Sequence, residues 1–195
     1  TASERARLSA EIRAILERDM GQTQAAFMSA LKAFTDGLDR ESVQPELERL
    51  ARETGSFEEL AEIFETTSSE LEAGHPRQVP LLRRAGELRE QLGETDDAAR
   101  VWRALLEYEP QDRQALDCLG KLYEKSQNAR NLSEVYAKQA ALASDPAARL
   151  ELLIKAAGAF ESAGDDAQAI DAWKAAFAIK RSMKALVALD QLYGK

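Results

Sequence analysis

Apolar side chains recur at three- and four-residue spacing through most of the chain, as on one face of an α-helix. The periodic segments are short, and Gly, Pro and acidic residues cluster between them as punctuation. Gly93 and Gly164 fall just after such segments, where a helix ends in a left-handed residue. Thr95, Asp96, Asp165 and Asp166 fall just before the next ones, as N-caps and first-turn acids. Asp145-Pro146 opens the segment that carries Leu150 and Leu153 in the same way. The pattern predicts a succession of short helices joined by tight turns.

It also repeats at longer range. The stretch from Ala115 to Lys125 (ALDCLGKLYEK) matches that from Ala185 to Lys195 (ALVALDQLYGK) in register. Gly93 to Trp102 and Gly164 to Trp173 form a second pair, each running from Gly through acidic residues and Ala to Trp. Following the large aromatic gives Phe27, Phe64, Trp102, Tyr136 and Trp173, at intervals of 37, 38, 34 and 37 residues. Such a period holds two helices of about four turns with short connections. Each unit therefore reads as a helical hairpin.

Three consecutive units agree in residue type. Residues 79–112 carry Leu82, Ala85-Gly86, Ala98, Trp102 and Pro110; residues 113–148 carry Leu116, Leu119-Gly120, Tyr123 and Tyr136. Residues 149–182 carry Leu153, Ala156, Phe160, Ala169, Trp173 and Ala176. These units resemble the tetratricopeptide repeat, W-x2-L-G-x2-Y followed by Ala, an aromatic and Pro over about 34 residues. The departures are Arg89 in place of Tyr, Leu132 in place of the small residue, and no closing Pro in the third unit. Residues 1–78 follow the period alone, as about two degenerate hairpins around Leu47, Gly55, Leu60 and Phe64. Residues 183–195 repeat a first helix.

The resemblance implies an all-α solenoid of stacked antiparallel hairpins in a right-handed superhelix, with about five hairpins and a terminal helix. Small residues at Ala85, Gly86, Gly120, Ala156 and Ala157 would let helix backbones approach, and the aromatics would fill the space between hairpins. In such arrays the first helix of each hairpin lines a concave groove that holds a partner protein segment. Carried over to matching positions, that face presents Arg83, Glu87 and Glu90, then Asp117, Lys121, Glu124 and Lys125, then Ile154 and Gly158, then Val187. Its mixed charge suits a partner of alternating charge with an apolar anchor near Ile154 and Val187. It does not suit the chaperone-binding subclass, whose Lys, Arg and Asn cluster is replaced here by Glu87 and Gly158.

Composition narrows the functional classes. Helix-forming residues dominate, with 45% hydrophobic and 31% charged residues, a mixture that folds. The net charge of −8 leaves no basic stripe for nucleic acid. No apolar stretch approaches the roughly 20 residues of a membrane span, and the N-terminal segment lacks the pattern of a signal peptide. One cysteine, Cys118, excludes an internal disulfide and suits the cytoplasm; as a small hydrophobe in a helix it needs no further role.

Candidate chemistry is sparse. The single histidine, His75, lies in the loop from Ala73 to Pro76 with no convergent ligands for a metal. The acidic groups around Asp96 and Asp165 lack calcium-loop spacing, and no Gly-rich phosphate loop is present. Neither a catalytic residue nor a cofactor is expected, and the protein reads as a protein-binding scaffold rather than an enzyme. Its Ala, Arg, Leu and Glu bias suggests a GC-rich bacterial genome. Arrays of similar style serve bacterial motility and polarity, which makes a small GTPase or a motility protein an expected partner. A self-assembly module and a regulatory domain of a larger protein are the alternatives. Leu186, Leu189, Leu192 and Tyr193 would be left half covered after 183, in a piece of a longer array or at a self-associating end.

Overall fold

A computed structural model of the chain describes residues 1–72 and 74–194. Those residues form eleven α-helices and connecting turns, with no strand among them. The helices are α1 (Ala2–Ala14), α2 (Thr23–Thr35), α3 (Arg40–Thr54), α4 (Phe57–Glu70), α5 (Gln78–Leu92) and α6 (Thr95–Tyr108). They continue with α7 (Arg113–Lys125), α8 (Ala129–Leu142), α9 (Pro146–Ala163), α10 (Asp166–Ile179) and α11 (Met183–Tyr193). A single π-turn, Ile15–Asp19, extends α1. The order of first helix, tight turn and second helix recurs five times, and α11 follows as an end helix.

The turns inside the hairpins share one device. Gly55, Gly93 and Gly164 end α3, α5 and α9 at φ of 74°, 78° and 75°, the left-handed region open to glycine. At Gly93 the next amide, Glu94 N–H, returns to the Arg89 carbonyl at 3.0 Å, and Asp165 N–H does the same to Phe160 at 2.9 Å. The α7–α8 turn uses Gln127 at φ 55° instead, with Asn128 N–H on the Tyr123 carbonyl at 3.0 Å. Helix starts are closed by side chains: Asp112, Asn128, Asp145, Asp165 and Ser182 each accept a first-turn amide. Thr95 is not a cap, since it is the first residue of α6 and its hydroxyl donates to the Gly93 carbonyl.

Within α6 the chain divides into two compact units, Thr1–Val101 and Trp102–Lys195. In the first unit neighbouring helices pack in sequence from α1 to α5. Phe27, Phe34, Leu47, Leu50, Leu60 and Phe64 are fully buried, and the Phe34 and Phe64 rings meet at 5.5 Å. In the second unit Tyr136, Leu153, Ala156, Ala157, Phe160, Trp173 and Leu192 form the core from α8 to α11. Ala140, Ala169 and Ala176 keep the facing helices close. All five aromatics of the repeat series, Phe27, Phe64, Trp102, Tyr136 and Trp173, are buried. That periodic burial is what a stack of helical hairpins requires.

Two departures from the repeat pattern acquire a physical account. Arg89, at the expected Tyr position, is buried and bridges Glu65 at 2.8 Å and Glu94 at 2.7 Å. Leu132, at the expected small position, is only half-buried, while Ser133 beside it is buried and donates to the Arg130 carbonyl. Leu192, expected to be half covered, is buried in the core of the second unit.

Candidate functional site

The sequence-derived face divides between the two units, and its two parts differ. In the first unit Arg83, Glu87 and Glu90 are half-buried on α5, and each is engaged within the protein. Glu87 accepts from Arg84 at 2.8 Å, and the same guanidinium reaches back to Glu48 on α3 at 2.9 Å. Similar pairs join α1 to α3: Arg13 to Glu46 at 2.8 Å, and both terminal nitrogens of Arg49 to Glu17 at 2.7 and 2.8 Å. The first helices of this unit are therefore laced together by ion pairs. Burial opposes the Arg84 charge, but the hydrogen bonds and charges of Glu87 and Glu48 prevail and raise its pKa. In Arg89 the hydrogen bonds it donates to Glu94 and Glu65 likewise overcome desolvation.

In the second unit the candidates are open. Asp117, Lys121, Glu124 and Lys125 are exposed on α7, Gly158 is exposed on α9, and Val187 is exposed on α11. Ile154 is half-buried against the apolar core. Two of the carboxylates are turned toward their own hairpin. Asp117 accepts from Gln139 Nε2 at 2.7 Å, and Glu124 accepts from the Tyr136 hydroxyl. Burial first, and then this carboxylate, push the Tyr136 pKa up to about 12. The same relation returns one repeat later, where Trp173 Nε1 donates to Glu161 at 2.6 Å. The sequence places Glu90 at the same twelve-residue distance before Trp102.

This Glu-to-aromatic spacing was legible in the sequence, yet residue type alone marks Glu124 as a ligand group rather than a brace. Lys121 and Lys125 form no ion pair among the described residues, so their ammonium groups reach solvent. Beyond its own helix backbone, a methyl group at Gly158 would have no protein atom within 4 Å. Cys118 is half-buried and forms no disulfide.

A cleft of about 330 Å³ opens beside Asp117, between the start of α7, the end of α8 and the start of α9. Leu116, Leu142 and Leu152 line it with Arg113, Gln139 and Asp145. Elsewhere, His75 Nδ1 accepts from the Arg77 amide at 3.2 Å, which gives it a local turn role; Ala73 of that loop lies outside the described residues. No group of His, Cys, Asp or Glu able to hold a metal ion occurs among the described residues. No described helix is long and apolar enough to cross a membrane.

No protein-family model matches the sequence, and no curated protein matches it either. Solved structures do. One is a tetratricopeptide repeat protein from Parabacteroides merdae, at 19% identity and a TM-score of 0.48 over 98% of this chain and 72% of that one. Another is a set of nearly identical TPR-like repeats of a putative kinesin light chain from Podosopora anserina. It has 18% identity and a TM-score of 0.47, covering 93% of this chain and 99% of that one. A third is MamA from Desulfovibrio magneticus, at 16% identity and a TM-score of 0.47 over 94% and 99% of the two chains. The five helix pairs and the buried aromatic series described above make this chain an all-α protein of repeated helical hairpins.

Proposed function

We propose that the chain is a protein-interaction scaffold whose second unit holds a segment of a partner protein along α7, α9 and α11. The observation that carries this reading is Gly158. A glycine inside a helix costs about 1 kcal/mol relative to alanine, and nothing in its own surroundings needs the space. A close-lying partner backbone would use it. Lys121 and Lys125 on one side, and Ile154 and Val187 on the other, then supply charge and an apolar anchor. Arg83, Glu87 and Glu90 hold the matching repeat positions in the first unit, where each is engaged within the protein, so the reading does not rest on them. A motility or polarity protein, or a small GTPase, would be one such partner by the sequence style alone.

The test compares capture from a bacterial lysate by the parent, by Gly158→Arg, and by Lys121→Glu with Lys125→Glu. Circular dichroism checks that each variant keeps its helices. A protein retained by the parent and lost by both variants supports the reading. Identical captures from all three would overturn it.

A second reading, self-association, is favoured by one comparison. Leu186 and Tyr193 on α11 are 47% and 62% exposed, whereas their repeat equivalents Leu116 and Tyr123 are 0% and 6% exposed. Stacking of α11 on another copy would cover them. Light scattering of the parent and of Leu186→Lys distinguishes this: a concentration-dependent mass lost in the variant supports stacking, and a constant monomer mass removes it.

A further inference from the structure

We infer that the cleft between α7, α8 and α9 receives a basic side chain, arginine or lysine, from the bound partner segment; this rests on the scaffold reading and names the chemistry of one contact within it. The cleft, of about 330 Å³, has room for a long side chain. Its apolar surface is supplied by Leu116, Leu142 and Leu152, which suits a methylene stem. Its rim carries two carboxylates, Asp117 on α7 and Asp145 at the α8–α9 turn, against one guanidinium, Arg113.

The hydrogen bonds show how each rim group is used. Asp117 Oδ1 accepts from Gln139 Nε2 at 2.7 Å, which fixes the carboxylate at the rim without neutralising it. Asp145 Oδ2 accepts from the Ala148 amide at 2.8 Å as the α9 cap, and its other oxygen carries no bond among the described residues. Arg113 Nη2 donates to the Leu142 carbonyl at 3.0 Å, at the C-terminal end of α8. That bond demonstrates the preference of this place, because helix-terminal carbonyls carry partial negative charge and attract cations. A second cation entering the cleft would meet Asp117 and the open oxygen of Asp145 while its stem lies on the leucines. An acidic side chain would meet both carboxylates at close range. An uncharged apolar one would desolvate them without pairing, an unfavourable outcome.

The inference is tested without a partner protein, by titrating ¹⁵N-labelled chain with N-acetyl-arginine amide, N-acetyl-lysine amide and N-acetyl-norleucine amide. The expected result is a saturable shift of amides in residues 113–117 and 142–152 with the two basic probes. Norleucine should bind at least about five-fold more weakly, since a single charge-assisted hydrogen bond is worth that factor or more. Asp117→Asn keeps an acceptor for Gln139 and should weaken the basic probes several-fold while leaving norleucine unchanged. Equal binding of norleucine, or an Asp117→Asn variant that binds arginine as the parent does, would overturn the inference. So would shifts scattered over the surface. Because the probes need no partner, a failure here is separate from a failed capture experiment.

Discussion

The two units solve the same packing problem with different chemistry. In the first, helices are joined by guanidinium–carboxylate pairs: Arg13 with Glu46, Arg49 with Glu17, Arg84 with Glu48, and Arg89 and Arg100 with Glu65. In the second, Lys155 pairs with Glu151 locally within α9. There aromatic donors take over, with Tyr136 on Glu124 and Trp173 on Glu161. Lysines also sit over rings, Lys155 at 5.7 Å from Tyr136 and Lys184 at 5.8 Å from Trp173. The difference has a consequence for function. Ion pairs join first helices in the first unit, whereas the aromatic-to-carboxylate bonds of the second reach back to the second helix and leave Lys121 and Lys125 on α7 without an ion pair among the described residues. The unit that follows the repeat pattern best is the one with an open face.

That contrast can be broken most forcefully at Trp173. Its truncation to Ala should destabilise the second unit by about 3–5 kcal/mol, since the ring is buried. Amide hydrogen exchange, which reads the units separately, should show lost protection in α8–α11 and little change in α2–α4. Uniform loss across both units would mean that they are not independently stabilised.

Arg89→Ala is the matching lesion in the first unit. Breaking this buried pair leaves Glu94 without its guanidinium and Glu65 with Arg100 alone, and should cost about 3 kcal/mol. Restoring the repeat consensus with Arg89→Tyr should not recover that loss. A full recovery, measured by denaturant unfolding, would show that shape rather than charge matters at this position.

Acid should separate the units next. Hydrogen bonding to Arg49 lowers the Glu17 pKa, and hydrogen bonding to Arg100 lowers that of Asp97. Both folded values lie below the unfolded ones, so their stabilisation is present above about pH 4 and fades as pH falls through the folded values. Protection in the first unit should weaken as the pH is lowered below about 4, and 1 M salt at neutral pH should act in the same direction by screening. Earlier loss in the second unit would contradict the assignment.

The smallest expected effect is at Tyr123. Its hydroxyl is buried without a hydrogen-bond partner among the described residues, and burial raises its pKa. Tyr123→Phe should therefore be neutral or stabilising by up to about 1 kcal/mol in a melting experiment. A clear destabilisation would reveal a partner that the described residues do not show.

The hairpins themselves were legible in the sequence. Gly93 and Gly164 mark helix ends because only a residue without Cβ takes a left-handed φ at little cost. The aromatic series marks the core because period and burial are linked when each hairpin packs on the next. Gln127 hid the α7–α8 turn from that reasoning, since a left-handed glutamine carries no sequence signature. The candidate face was legible only by position. Residue type could not tell that Arg83, Glu87 and Glu90 are held internally while Lys121 and Lys125 are not.

What the amino-acid sequence determined by itself was local: helix lengths, turn sites, the buried row on each helix and the net charge of −8. These depend on neighbours a few residues apart, through backbone conformation and helical period. Tertiary structure decided which charges spend themselves on one another. Glu65 is 24 residues from Arg89, and Asp117 is 22 residues from Gln139. Whether such groups meet depends on how hairpins stack, and their meeting determines which part of the surface is left for a partner.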